Sequence, residues 1–321
     1  MKTARQTVPV IDVHSHFIPF CYLDGLKEQG VDPLEEDGFP TPPWSPEAHL
    51  AYMDQGGITH SVISLSSPHI HHGDGASAIR LARRSNEEAA AICRTHPDRF
   101  SFAACLPMPE IKASVDEIRY AFDELGAVGI KVASNSNGVY LGDPVFDPIF
   151  AELNRRKAVI NIHPCRPPLV PERVFTCGPA PLFEFLADTT RAIINLLISG
   201  TLEKYPDISV VVPHTGSFLP LLIHRLTGIS KVLGPKGLIP ETDIWAAFQT
   251  LYFDTAGDFH TVALRTLLRV ADPTHILYGG DFPYTPVNQI QSAWTDLTTE
   301  PEIQPYLQAI LYGNATRLYR L

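Results

Sequence analysis

Eight short runs rich in Val and Ile, separated by longer stretches with helical spacing, constrain this chain more than any other feature. They are VPVIDVHSHF, ITHSVISLSS, FSFAACLP, AVGIKVAS, AVINIHP, ISVVVPH, TLYFDTAG and HILYGGD. Their apolar residues are continuous rather than alternating, as parallel strands covered on both faces require. Between them, 76–95, 111–125, 145–156 and 182–204 carry apolar residues at spacings of three and four, the pattern of crossover helices. Eight strands alternating with helices predict a (β/α)8 barrel. The 29 prolines are dispersed and no low-complexity tract or linker interrupts the 321 residues, so residues 1–321 are expected to form one domain.

The ends of the runs carry the chemistry. Run one ends in His14 and His16, run five in His163, run six in His214 and run eight in Asp281. Side chains two apart on a strand share a face, roughly 6 to 7 Å apart along the chain, so His14 and His16 can converge on one object. A barrel gathers the C-terminal ends of its strands at one mouth, where active sites sit. A single histidine ending a strand is ordinarily structural; four histidines and an aspartate at one rim point to a metal. His14, His16, His163 and Asp281 supply four ligands of a kind that suits zinc first, with manganese or iron also compatible. His214 is left over, placed to act as general base or acid.

Charge narrows the partners. The formal net charge of −10 excludes a surface built for nucleic acid or anionic membrane, which needs clustered Lys and Arg, and favours a small-molecule partner. The start has no apolar signal core, and runs such as AIINLLIS are too short to span a bilayer, so a soluble, cytoplasmic protein is expected. Cys21, Cys93, Cys105, Cys165 and Cys177 are few and lack C-x-x-C spacing, which suits a reducing compartment. Asn314 lies in an N-x-T sequon that carries no weight without a secretion signal. His69, His71 and His72 read as a solvated loop rather than a second metal site. Lys131 reads as a strand-end cation paired with a carboxylate. Asp12 and Asp254 read as structural or supporting residues, and Trp44 as a lid or an anchor for its own loop.

DVHSHFIP, INIHP, VPHTGSFLPLLIHRL, YGGDFPY and YGNATRLYRL, in that order over essentially the whole chain, resemble the amidohydrolase-related decarboxylases, the family of aminocarboxymuconate-semialdehyde decarboxylase. The resemblance implies a TIM barrel of the amidohydrolase type, a metal held by His14, His16, His163 and Asp281, and His214 as the acid/base histidine. It implies that Arg225 crosses to a substrate carboxylate in a neighbouring subunit of a homodimer or dimer of dimers. It places Tyr284 as an aromatic substrate contact. Two departures matter. No Arg or Lys occurs from Gln29 to Ile79, so a second substrate carboxylate lacks its counter-charge and a monocarboxylic acid is expected. The opening is His-x-His, where the resorcylate and carboxyvanillate branch has Glu-x-His.

FPTPPWSPEAHLAYMD and NSNGVYLGDPVFDPIFAELN resemble the branch that contains 6-methylsalicylate decarboxylase. The implied reaction is metal-dependent, non-oxidative loss of carbon dioxide from an ortho-hydroxy aromatic acid, giving a phenol. Asp281, or His214 relaying through it, would protonate the ring carbon bearing the carboxylate. The alternatives are a lactonase-type metal hydrolase of a ring-cleavage product, decarboxylation of aminocarboxymuconate semialdehyde, and a non-catalytic metal-binding barrel that would give His214 no task.

Overall fold

The computed structural model describes residues 9–171, 173, 178–258 and 260–321. All eight runs form strands: β1 (Ile11–His16), β2 (His60–Ser64), β3 (Phe100–Cys105), β4 (Gly129–Ala133), β7 (Val159–His163), β8 (Ser209–Val212), β9 (Tyr252–Asp254) and β10 (Ile276–Leu277). Each lies parallel to the next in that order. Closure comes from the residues after β10: Val13 N donates to Tyr278 O at 3.0 Å, Asp281 N to His14 O at 2.7 Å and His16 N to Phe282 O at 2.7 Å. The result is the eight-stranded barrel that the apolar runs predict, with helices packed outside.

The helices follow their apolar stripes. Gly75–Thr95 turns Ala78, Leu81, Ala82 and Ala89 inward, and Ile111–Asp123 buries Ile118 and Ala121. The stretch expected as one helix over 182–204 is broken. Glu184–Ile198 ends at Ser199, Gly200 takes φ +74°, and a short helix Thr201–Lys204 follows. A glycine in the left-handed region ends a helix without the Cβ penalty, and its isolated position made the stop hard to see. A small antiparallel hairpin, β5 (Asn135–Ser136) with β6 (Val139–Tyr140), follows β4. It turns at Asn137 and Gly138, both at positive φ, as a two-residue hairpin turn demands. Among the described residues no helix is long and apolar enough to cross a membrane.

Candidate metal centre and active site

β1 is buried along its whole length, and an irregularity in its pairing with β2 falls between Asp12 and Ser15. His14 and His16 both reach the barrel mouth, with ring centroids 5.0 Å apart. His163 at the end of β7 lies 4.7 Å from His16 and 5.5 Å from His14, centroid to centroid. Asp281 sits four residues beyond β10, at φ +61°, where a non-glycine residue is strained and must be held by its surroundings. Its backbone N–H is bound to His14 O, and Thr285 Oγ1 donates to its Oδ2 at 3.0 Å. One ligand atom from each of His14, His16, His163 and Asp281 lies within 4.8 Å of the others.

The three imidazoles are oriented the same way. Nδ1 of His14 meets Asp254 Oδ2 at 2.8 Å, Nδ1 of His16 meets Ser64 O at 3.2 Å, and Nδ1 of His163 meets Pro164 O at 2.9 Å. Each Nδ1 therefore carries a proton, and each Nε2 is the atom turned to the centre. His14 Nε2 is buried without a hydrogen-bond partner, 3.5 Å from Asp281 Oδ1, and His16 Nε2 lies 3.1 Å from the same oxygen. Converging Nε2 atoms around one carboxylate fit a divalent ion.

For His16 and His163 the electrostatics agree with that orientation. Burial pushes His16 down to about 4 and holds His163 well below the usual histidine range, so both are neutral donors. Burial also works against a charge on His14, but Asp254 and then Asp281 outweigh it and hold the ring up to about 10, so a cation at the centre would take the place of the proton on its Nε2. For Asp281 burial is outweighed by His14 and His16, which keep its carboxyl well below the ordinary range. His214, after β8, adopts φ +55° and donates its backbone N–H to Asp254 Oδ1 at 3.1 Å. Its ring centroid is 5.1 Å from that of His14, its Nδ1 is buried without a partner, and burial lowers its pKa. Asp254 thus ties a candidate ligand to the candidate acid/base.

A model of the amidohydrolase family matches residues 11–321. The chain belongs to the amidohydrolase family. It is 37% identical to 6-methylsalicylic acid decarboxylase of Penicillium expansum over 287 residues, covering 87% of this chain and 86% of that protein. It is 36% identical to 6-methylsalicylic acid decarboxylase acuB of Aspergillus aculeatus with the same coverage. A solved structure described as an amidohydrolase II superposes with a TM-score of 0.91 at 36% identity, covering 97% of this chain and all of that one.

In this amidohydrolase a cavity of about 980 Å³ opens over the centre, with Phe39, His163, Phe185, His214, Asp281 and Tyr284 among its walls. No Lys or Arg is among its described lining residues. Tyr284 stands edge-on to His16 at 5.5 Å and donates its hydroxyl to Ser67 O at 3.3 Å. Arg225 is not brought to this cavity: it is exposed on the helix Leu219–Leu233 and makes no ion pair among the described residues. Leu221, one turn earlier on that helix, lines the cavity and is 73% exposed.

Several minor expectations change. His69 is not a solvated loop residue, because its Nδ1 receives a hydrogen bond from Lys131 Nζ at 2.9 Å. Lys131 pairs with no carboxylate among the described residues; it is 2% exposed, donates also to Ser66 O at 3.1 Å, and burial lowers it to about 7. His71 and His72 turn to Glu110 and to the His69 carbonyl, and no second metal cluster occurs among the described residues. Trp44 anchors its own loop, donating Nε1–H to His49 Nδ1 at 3.1 Å and packing on Phe17. Asn314 is buried and donates to Pro273 O and Ile276 O, a structural role that the sequon conceals. Cys177 lies outside the described residues.

Proposed function

We propose that this chain is a metal-dependent, non-oxidative decarboxylase of an ortho-hydroxy aromatic monocarboxylic acid, 6-methylsalicylate or a close analogue. The observation that carries the reading is the placing of His214 and Asp281 beside three oriented imidazoles, on one wall of a largely apolar cavity with no cation among its described lining. Similarity to 6-methylsalicylic acid decarboxylases over 87% of the chain supports it. His14, His16, His163 and Asp281 would hold the ion, zinc first and manganese second on the character of the donors. When bound, the ion supplies Lewis acidity that keeps the substrate's ortho hydroxyl ionised and orients the ring.

The residues of the chain do the rest. The apolar walls receive the ring and exclude water, and Tyr284 limits its tilt at one side. Loss of carbon dioxide directly from the ring would strand an electron pair in an sp² orbital. Asp281 rests ionised, so the proton that leaves the substrate's hydroxyl is taken up by Asp281, or by His214 relaying through it, and delivered to the ring carbon bearing the carboxylate, which removes that obstacle. The C–C bonding pair then returns to the ring as carbon dioxide leaves. A close Asp–His pair shares its apparent pKa values, so the pair is the acid/base unit. Leu221 at the cavity and Arg225 one turn further along the same helix suit a partner-supplied arginine in a dimer.

The test is release of carbon dioxide and a phenol from a panel of benzoates, 6-methylsalicylate first. Ortho-hydroxy acids are expected to turn over and their methyl ethers not to; efficient turnover of benzoates without the hydroxyl would refute the mechanism. For assembly, Arg225→Ala should lose activity yet keep its metal, and verified mixed dimers with His214→Ala should regain up to one working site in two. Absence of that recovery places Arg225 in its own chain or in the scaffold.

A further inference from the structure

On the other side of the same rim lies a second cavity of about 390 Å³, over the ends of β2, β3, β4 and β7. Ser67, His69, Cys105, Lys131, Asn135 and Cys165 are among its walls, and none of the residues at the candidate metal centre lines it. It shares Asp37 and Ser67 with the larger cavity.

Lys131 is the unexplained element. Its side chain is nearly inaccessible, yet among the described residues its two hydrogen bonds go to neutral acceptors, Ser66 O and His69 Nδ1. A third N–H is left over. Because His69 accepts at Nδ1, its own proton sits on Nε2, which the backbone carbonyls of His163 and Pro164 face. Among the described residues, one donor on Lys131 therefore stands without an acceptor beside a polar cavity. Glu35 and Glu36 are exposed at its mouth, and the buried Asp37 forms no ion pair with Lys131. An ammonium taken out of water calls for an anion, and among the described residues none is in contact with it.

We propose that this cavity is a binding site for a small planar oxyanion, bicarbonate or a short organic carboxylate, held by Lys131 Nζ. Charge-assisted hydrogen bonds of this kind are the strong ones in a desolvated site. The assignment stands independently of the decarboxylase reading, since it concerns binding and not turnover.

Metal-loaded protein is titrated calorimetrically with sodium formate, acetate and bicarbonate at constant ionic strength. Saturable binding is expected, weakened at least roughly tenfold by Lys131→Met and retained when the metal is removed. Tighter binding of bicarbonate than of acetate assigns the site to bicarbonate; the reverse order assigns it to a small organic acid. Absence of saturable binding, binding unchanged in Lys131→Met, or binding that disappears with the metal overturns the proposal. So that the result does not rest on one variant, crystals of the wild-type holoenzyme grown with formate provide a second measurement. Formate within hydrogen-bond reach of Lys131 Nζ is expected; formate on the metal alone, or only disordered solvent in this cavity, would contradict it.

Discussion

The two sides of the barrel rim solve the problem of buried charge in opposite ways. Over β1 and β10 carboxylates face imidazoles: Asp254 answers His14, and Asp281 answers His14 and His16. Over β2 and β4, among the described residues Lys131 meets only a carbonyl and a neutral imidazole. Burial is nearly complete on both sides, so desolvation alone does not distinguish them. The difference lies in whether opposite charge is built in, and it teaches that a completed donor set waits for a cation while an uncompensated ammonium waits for an anion.

The strongest way to break this comparison is to remove a donor from the compensated side. His163→Ala is expected to lose bound metal by elemental analysis and to reduce kcat/KM by roughly a thousandfold or more. Unchanged metal content and rate would end the assignment of the four-residue centre. A smaller effect is expected from Asp254→Ala, which leaves the four candidate ligands in place but frees His14 Nδ1 and the His214 backbone together. Metal affinity, measured by competition with a chelator, should fall about 10- to 100-fold. An unaltered affinity would show that the strand ends alone orient the rings.

The gentlest test sharpens the other side. Burial lowers Lys131 from 10.5 to about 7, so between those pH values the folded protein binds fewer protons than the unfolded chain. Stability contributed by this residue must then rise with pH across the window and be flat below about 7, where both states are protonated. In denaturant unfolding at several pH values, wild type is expected to gain on Lys131→Met by up to about 1.4 kcal/mol per pH unit from pH 7 upward. A difference that does not vary with pH would mean that an anion or a carboxylate compensates the ammonium in solution.

The rank of these effects matches how far each residue could be read from the chain. His163 and Asp281 ended apolar runs, and the parity of His-x-His placed two rings on one face before any fold was known. Asp254 ended a run as well, but its hold on His14 spans 240 residues and no local pattern announces it. Lys131 was legible as a strand-end cation and misread in its partner, because a strand pattern states which face a side chain shares and not what stands opposite. Nothing local decides between lid and anchor for Trp44 or announces the buried role of Asn314, for the same reason: each owes its role to a neighbour brought in by the fold.

By itself the sequence determined the eight parallel strands, the helices between them and the rim on which the histidines gather, because hydrophobic periodicity is local and each run states its own burial. Only the tertiary structure decided the rest. It broke the helix at Gly200, held Asp281 at positive φ against His14 O, set the Nδ1 atoms of His14 and His16 on acceptors from elsewhere in the chain, left Arg225 exposed and enclosed Lys131 with no anion in contact among the described residues. Those outcomes depend on the distance and orientation of groups remote in the chain. Hydrogen bonding and desolvation respond to that geometry, which no short window of residues contains.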